Sequence, residues 1–270
     1  MIDSLWRMGL YGCVPIGMAL AGRRLLRRYP KEYSCGLWIL VFVRLLLPVF
    51  IGKPLGVQPL QYMGCLQRAG GKGLWASLYL AGVCLVSGYF LIQGLRIRRQ
   101  LRPAVREMKN IWRCENISSA FVAGLIKPRI FLPYGLEGTE RWYVELHEKM
   151  HIRHGDPWVR MLGTVTLCLH WWNPLVWYAV SKLYEDLEMS CDEAVMKECA
   201  SPERKIYSDV LLRLSMRQNG FPGLGFGESH TERRIRNLLE KKKKVNVWFV
   251  LLFYLLLNLC VRISLTILQI

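Results

Sequence analysis

Charge is scarce in four long stretches of this 270-residue sequence, none of which holds more than one charged residue. Leu74–Leu95 carries none, Ser4–Ala21 has only Arg7, and Cys35–Ile51 has only Arg44. Val247–Leu268 has only Arg262 beside the polar Asn258. Each run approaches the roughly 20 apolar residues that a helix needs to cross a bilayer, so the sequence predicts about four transmembrane helices. Acidic residues are scarce too: 20 Asp and Glu face 37 Lys and Arg, a formal charge of +17. A cleavable signal peptide is a poor reading of the first run, because Arg23, Arg24, Arg27 and Arg28 follow the apolar stretch instead of preceding it. The nine cysteines show no pairing pattern, which argues against a structural disulfide. No internal repeat is present.

The basic residues that remain set a topology. Arg23, Arg24, Arg27, Arg28 and Lys31 follow the first run, Arg96, Arg98, Arg99 and Arg102 follow the third, and Lys241–Lys244 precede the fourth. The segment between the second and third runs holds only Lys53, Arg68 and Lys72. The positive-inside rule then places the N-terminus outside and residues 96–245 in the cytoplasm. Lys241–Lys244, set against an apolar run, reads as a contact with the inner leaflet and not as a nucleic-acid site. Arg44, in the middle of the second run, would cost about 2.5–3.5 kcal/mol facing lipid, so it is expected to face protein.

Within the expected cytoplasmic part stands His147-Glu148-Lys149-Met150-His151, an HExxH motif. On a helix, positions four apart share a face, so two imidazoles can hold one Zn²⁺ while Glu148 acts as the base toward water. No helix breaker lies in Glu140–Leu146, and Gly155 and Pro157 interrupt soon after the motif. A chance HExxH is usually an exposed helix face, but here Glu188 and Asp192 follow as an ExxxD pair. Glu188 supplies a third metal ligand, and Asp192 can accept the free N–H of a ligand histidine and fix its orientation. Glu185, Asp186 and Glu193 are rival ligands; Glu185 shares the face of Glu188, so the choice rests on the ExxxD register. His154 lies on the histidine face but about 10 Å along the axis from His147, which makes it a rim or orienting residue. Cys191 differs in helical phase and is not expected to be a ligand.

Met161–Val180 is uncharged and long enough to cross, yet it lies between His151 and Glu188. One crossing would separate the ligands, so the metal site predicts that this stretch does not cross. Asn173-Pro174 breaks it, with Asn as N-cap and Pro at the first helical position. Either two helices meet at a bend, with Trp171, Trp172 and Trp177 near the membrane interface, or the stretch is domain core. Arg96–Asn110 reads as a basic helix leaving the membrane, and the Gly-rich run Gly220–Ser229 as a loop. Ser118–Pro133 reads as a hairpin turning at Lys127-Pro128. Its edge could add an extended peptide by backbone pairing, or simply shield the HExxH helix.

Taken together, FVAGLIKPRIFLP, HEKMHIRHGDP, HWWNPLVWYA, YEDLEMSCDEAV and ERRIRNLLEKKKK resemble the BlaR/MecR-type membrane zinc peptidases of bacteria, over the chain from Arg44-Leu45-Leu46-Leu47-Pro48 onward. More distantly the site is similar to that of the CAAX-prenyl-type membrane proteases. The resemblance implies zinc ligation by His147, His151 and Glu188, with Glu148 as base, in a cytoplasmic gluzincin domain between the third and fourth membrane segments. Antirepressor members continue after the last span into a penicillin-binding sensor. This sequence stops at Ile270 and offers no Ser-x-x-Lys acylation motif in such a fold, so a short member with another input, or a partner that supplies the sensor, is expected.

The expected fold class is therefore mainly α, a polytopic membrane protein with a gluzincin-like peptidase domain and a small β-sheet. Residues 1–95 form a membrane region with three spans, 96–245 the cytoplasmic domain, and 246–270 a fourth span. The expected activity is zinc-dependent cleavage of a cytoplasmic protein, such as a transcriptional repressor, or of the chain itself. A homodimer is a further possible partner arrangement. The alternative is a non-catalytic membrane signalling or scaffold protein that keeps the fold; the presence of Glu148 argues against it, since a scaffold needs no base.

Overall fold

The computed structural model describes residues 2–46, 72–199, 203–218, 226–240 and 242–243. The described residues are mainly helical. Helices α1 (Ile2–Leu25) and α2 (Lys31–Leu46) are joined by a 3₁₀ turn, and α3 (Lys72–Gln100) follows. Four short strands come next: β1 (Val105–Arg106), β2 (Ile111–Cys114), β3 (Phe121–Ala123) and β4 (Arg129–Pro133). Five helices complete the order: α4 (Gly138–His154), α5 (Asp156–Leu169), α6 (Pro174–Glu198), α7 (Glu203–Gln218) and α8 (Phe226–Leu239).

Among the described residues, one helix is long and apolar enough to cross a membrane: Ser77–Gln100, within α3, none of it buried in the protein. The expected spans at Ser4–Ala21 and Cys35–Ile51 correspond to α1 and α2, the latter described as far as Leu46. Val247–Leu268 lies outside the described residues.

Two sequence expectations need correction. Arg96–Asn110 is not one helix, because α3 ends at Gln100 and Val105–Arg106 forms a strand. Pro103 has no N–H to continue a helix and disfavours helical geometry at Arg102. Pairing of Val105 with Arg113 and of Arg106 with Trp112 then captures the chain in a sheet. Nor does the Gly-rich loop reach Ser229, since α8 begins at Phe226; residues 219–225 lie outside the described set.

The sheet runs β1-β2-β4-β3, with β2 and β4 parallel and the other pairs antiparallel. The hairpin expected over Ser118–Pro133 is present as β3 and β4, with Gly124 at φ +101° leading into the turn. β3 is an edge strand. Ile111, Ile130, Leu132 and Leu136 bury against Val144 and fix the sheet to α4. A second core, around Tyr143, Met150, Cys191, Val195, Tyr207 and Leu238, ties α4 to α6, α7 and α8.

The largest core lies elsewhere. Ile16, Ala19, Trp38, Val41 and Phe42 of α1 and α2 pack against Leu167, Val176, Val180 and Leu183 of α5 and α6. The Met161–Val180 stretch is therefore a helical hairpin. Asn173 is its N-cap, accepting from the Leu175 N–H at 2.9 Å, and Pro174 opens α6. The chain folds back at Asn173-Pro174, and the far end of α6 packs on α4.

Candidate metal centre

α4 continues through both histidines because nothing in 139–154 breaks it. It ends at Gly155, whose φ of +73° gives a left-handed cap that a side chain would strain. His147 and His151 thus sit one turn apart on the face turned toward α6, both buried. α6 brings Glu188 to them. His147 Nε2 and His151 Nε2 are 3.1 Å apart. Glu188 Oε2 is 3.3 Å from His147 Nε2, and Oε1 is 3.5 Å from His151 Nε2.

These distances fit a metal. Two donors each about 2.0–2.1 Å from one zinc at the tetrahedral angle stand roughly 3.3 Å apart. The protonation pattern agrees. His151 Nδ1 lies 2.5 Å from Asp156 Oδ2. His147 Nδ1 faces the Tyr207 hydroxyl at 3.0 Å and Asp192 Oδ1 at 3.3 Å. When each Nδ1 carries the hydrogen for its carboxylate, the two Nε2 atoms converge on one point that a metal can occupy, and without metal a proton on His147 fills the same role. Charge agrees as well. With both imidazoles neutral, as a metal requires, Glu148, Asp156, Glu188 and Asp192 among the described residues are set against Arg160 and Arg234, an excess of two negative charges. The chain's own residues therefore fit a divalent ion with nitrogen and carboxylate donors.

The two arginines brace the acidic side. Arg234, on α8, holds Asp192 with both Nε and Nη2, at 2.8 and 2.7 Å, and approaches Glu188 at 3.5 Å. Arg160, on α5, donates to Glu188 Oε1 at 2.6 Å. Tyr207, on α7, donates to Asp192 Oδ1 at 2.7 Å. The electrostatics follow from these contacts. Burial opposes charge on His147, but its hydrogen bonds to Asp192 and Glu188 outweigh that and raise the imidazole to about 9. Burial would raise Glu188, yet His147, His151 and Arg234 hold it well below the usual carboxylate range. Arg234 does the same for Asp192 against its burial. Glu148 goes the other way: burial raises its carboxyl although the two histidines pull it down.

Other expected residues fall elsewhere. Glu185, Asp186 and Glu193 are not near the imidazoles. Asp186 accepts from Arg23, Ser34 and Trp38, Glu185 from Arg23, Arg233 and Lys182, and Glu193 from the Lys31 backbone and Asn237. Helical phase explains it: these three lie on the side of α6 that packs on α1, α2 and α8. His154 is exposed and stands outside the convergent group. Cys191 comes closer than its phase implied. Its Sγ is 3.2 Å from His151 Nδ1 and 3.2 Å from Asp156 Oδ2, behind the imidazole, and burial pushes the thiol up.

Asp156, Tyr207, Arg160 and Arg234 had no role in the sequence reading. Asp156 had a local signal, five residues after His151 and immediately past the Gly155 turn. The others reach the site only through packing. A cleft of about 600 Å³ opens over the group, lined by Phe121 and Val122 of the edge strand, His147, Glu148, Glu188 and Arg234.

Comparison with known proteins places this geometry. Residues 76–238 match the family model described as BlaR1 peptidase M56. The chain is similar to the regulatory protein BlaR1 of Bacillus licheniformis, 31% identical over 128 residues, which cover 44% of this chain and 21% of that protein. It is also similar to the methicillin resistance mecR1 protein of Staphylococcus aureus, 30% identical over 105 residues, 37% of this chain and 18% of the relative. The matched part is thus about a fifth of each relative's length.

Proposed function

The chain belongs to the BlaR1 peptidase M56 family, and on that premise we propose that it is a membrane-embedded zinc metalloendopeptidase acting in signal transduction. Its substrate is a cytoplasmic protein of the repressor kind, or the chain itself. The observation that carries this reading is the facing pair of imidazole Nε2 atoms 3.1 Å apart, closed by the Glu188 carboxylate and tied from behind to Asp156 and Asp192.

In this reading His147, His151 and Glu188 hold zinc, which when bound supplies a Lewis acid for the scissile carbonyl. Glu148 sits between the two histidines in sequence and lines the same cleft without being one of the three converging donors. It takes a proton from the attacking water and delivers it to the leaving amine. Asp156 and Asp192 keep both imidazoles turned toward the ion. The edge strand β3 borders the cleft, so an extended substrate can pair with its free backbone groups. The peptidase region faces the cytoplasm and the N-terminus lies outside, with four spans in all; the basic residues flanking the apolar runs support this orientation.

Glu148→Ala tests the chemistry. It removes the base and no ligand, so the variant should fold and keep zinc but lose cleavage. Proteomics of cells expressing wild type against Glu148→Ala should show a fragment present only with the wild type. Undiminished processing in Glu148→Ala would overturn the mechanism.

A further inference from the structure

The hairpin of α5 and α6 touches three helices at its turn, and each touch measures depth. Tyr79 donates to the Leu169 carbonyl at 2.8 Å, and Trp171 lies on Gly82, where an added Cβ would stand 2.1 Å from the indole. His170 Nε2 reaches the Leu45 carbonyl at 3.4 Å, and Asn173 Nδ2 approaches Cys13 Sγ at 3.9 Å. The same three helices carry basic residues at their other ends: Arg96 on α3, Lys31 on α2 and Arg23 on α1. At about 1.5 Å per residue, the turn lies about 21 Å from Arg96 along α3, about 21 Å from Lys31 along α2 and about 15 Å from Arg23 along α1. The rulers agree. With a hydrocarbon core about 30 Å thick, the turn stands well past the basic belt and beyond the midplane on two of them.

We infer that the α5–α6 hairpin is a re-entrant membrane segment, entering beside α3 from the peptidase side, turning at His170–Asn173 within the acyl chains and returning to deliver Glu188. This rests on the reading of α3 as a span. Two further observations support lipid as the occupant of the hairpin's outer face. That face is apolar and open: Met161, Val165, Trp172, Leu175, Trp177 and Tyr178 are exposed large side chains, and α3, which packs on α5, is itself exposed along its apolar length. And several of the turn's backbone groups are closed by protein, as a turn in hydrocarbon requires where no water is there to close them. Leu169 O takes Tyr79, Trp171 O takes the Trp177 indole at 2.8 Å, His170 N donates to Thr166 O, Asn173 N to His170 O, and Leu175 N to the Asn173 side chain.

One consequence concerns the metal centre. Glu188 lies about 21 Å along α6 from Pro174, which returns it to the level of the basic belt. Asp186, two residues before Glu188, is in fact held by Arg23. The candidate centre therefore stands at the membrane surface, at the foot of the hairpin.

Photo-crosslinking on the full chain in phospholipid vesicles tests this. A p-benzoylphenylalanine is placed in turn at Leu85 of α3, at Val165 and Tyr178 of the hairpin, and at Ile206 of α7, all exposed positions. The proposal expects a gain of one phospholipid mass at Leu85, Val165 and Tyr178, and none at Ile206. A lipid adduct at Leu85 with none at Val165 or Tyr178, or a protein crosslink there instead, would overturn the re-entrant hairpin and leave α3 a span. No lipid adduct at Leu85 would overturn the membrane reading of α3 itself, and the hairpin with it.

Discussion

Helix α6 carries two sets of carboxylates on two sides, and they solve different problems. Glu188 and Asp192 face the imidazoles of α4, while Glu185, Asp186 and Glu193 face α1, α2 and α8. Burial does not tell them apart, since Asp186 and Asp192 are both fully buried and each is held by an arginine through two bonds. The partners do. Around Glu185, Asp186 and Glu193 stand Arg23, Lys31, Lys182, Arg233 and Lys242, so fixed cations already satisfy that cluster. Around Glu188, besides Arg160 and Arg234, stand two imidazole nitrogens that converge with its carboxylate on one point. The first set joins α1 and α2 to α6 and α8; the second, with both imidazoles neutral, is left short of two positive charges. An acid marks a metal site when it converges with histidine nitrogens, and not with fixed cations alone.

The sharpest way to break that contrast is to exchange which set is removed. Glu188→Ala, like His147→Ala or His151→Ala, should empty the metal site: about one zinc per chain in the wild type and none after dialysis, read by atomic absorption. Glu185→Ala should keep its zinc. Loss of metal in Glu185→Ala with retention in Glu188→Ala would reverse the assignment. Asp186→Ala should act on the fold instead. It leaves Arg23 with Glu185 alone and takes the carboxylate from Lys31, Ser34 and Trp38, and removing one partner of a buried ion cluster costs about 3–5 kcal/mol. Chemical denaturation in detergent should show that loss while the folded fraction keeps its zinc. A change of stability within the noise would mean that the cluster is solvated and not a structural joint.

The same contrast explains what could be read from sequence. HExxH and ExxxD are legible because a helix turns positions four apart into neighbours, so His147/His151 and Glu188/Asp192 declare their faces without any tertiary information. The rival status of Glu185, Asp186 and Glu193 could not be settled that way; which side of α6 meets α4 and which meets α2 is decided by packing. Tyr207 and Arg234 reach the site from α7 and α8 across sequence separations that no local pattern spans. Asp156 is intermediate, close in sequence but beyond the left-handed Gly155, where the helical register no longer projects. The mainly helical class and the β3–β4 hairpin followed from apolar runs and turn chemistry. The excessive helix over Arg96–Asn110 came from weighing the basic run above Pro103, and the short sheet pairing of β1 with β2 had no signal in two residues.

Within the metal-facing set, the carboxylates behind the imidazoles should matter less than the ligands. Asp192→Ala and Asp156→Ala each remove a group that orients one histidine and leave the three donors in place. Each should weaken zinc binding by about 10–100-fold, measured by competition with a chromophoric chelator. Asp192→Ala should be the more harmful to the fold, because it also leaves the buried Arg234 without its two-bond partner. If Asp156→Ala binds zinc as tightly as the wild type, the 2.5 Å contact to His151 is not what sets that ring's orientation.

The smallest effect is a matter of protons, and it separates the two sets again. Without metal, His147 is raised to about 9, against an ordinary 6.5, because its hydrogen bonds to Asp192 and Glu188 outweigh burial. The sign follows directly. In the metal-free protein the charged imidazole contributes stability fully below about 6.5, and that contribution is lost as pH rises through about 9. Zinc needs the neutral ring, so binding at about pH 7 must expel one proton, and affinity should fall about tenfold for each unit of pH below about 9. Calorimetric titration of zinc in buffers of different ionisation enthalpy reads the proton directly. Release of about one proton near pH 7, fading above about pH 10, is the expected result. Asp186→Asn, on the other side of α6, should leave that count unchanged, whereas Asp192→Asn should lower the pH at which release fades. An absence of proton release near neutrality would mean that the site is held open by Arg160 and Arg234 alone, and that His147 stands neutral before the metal arrives.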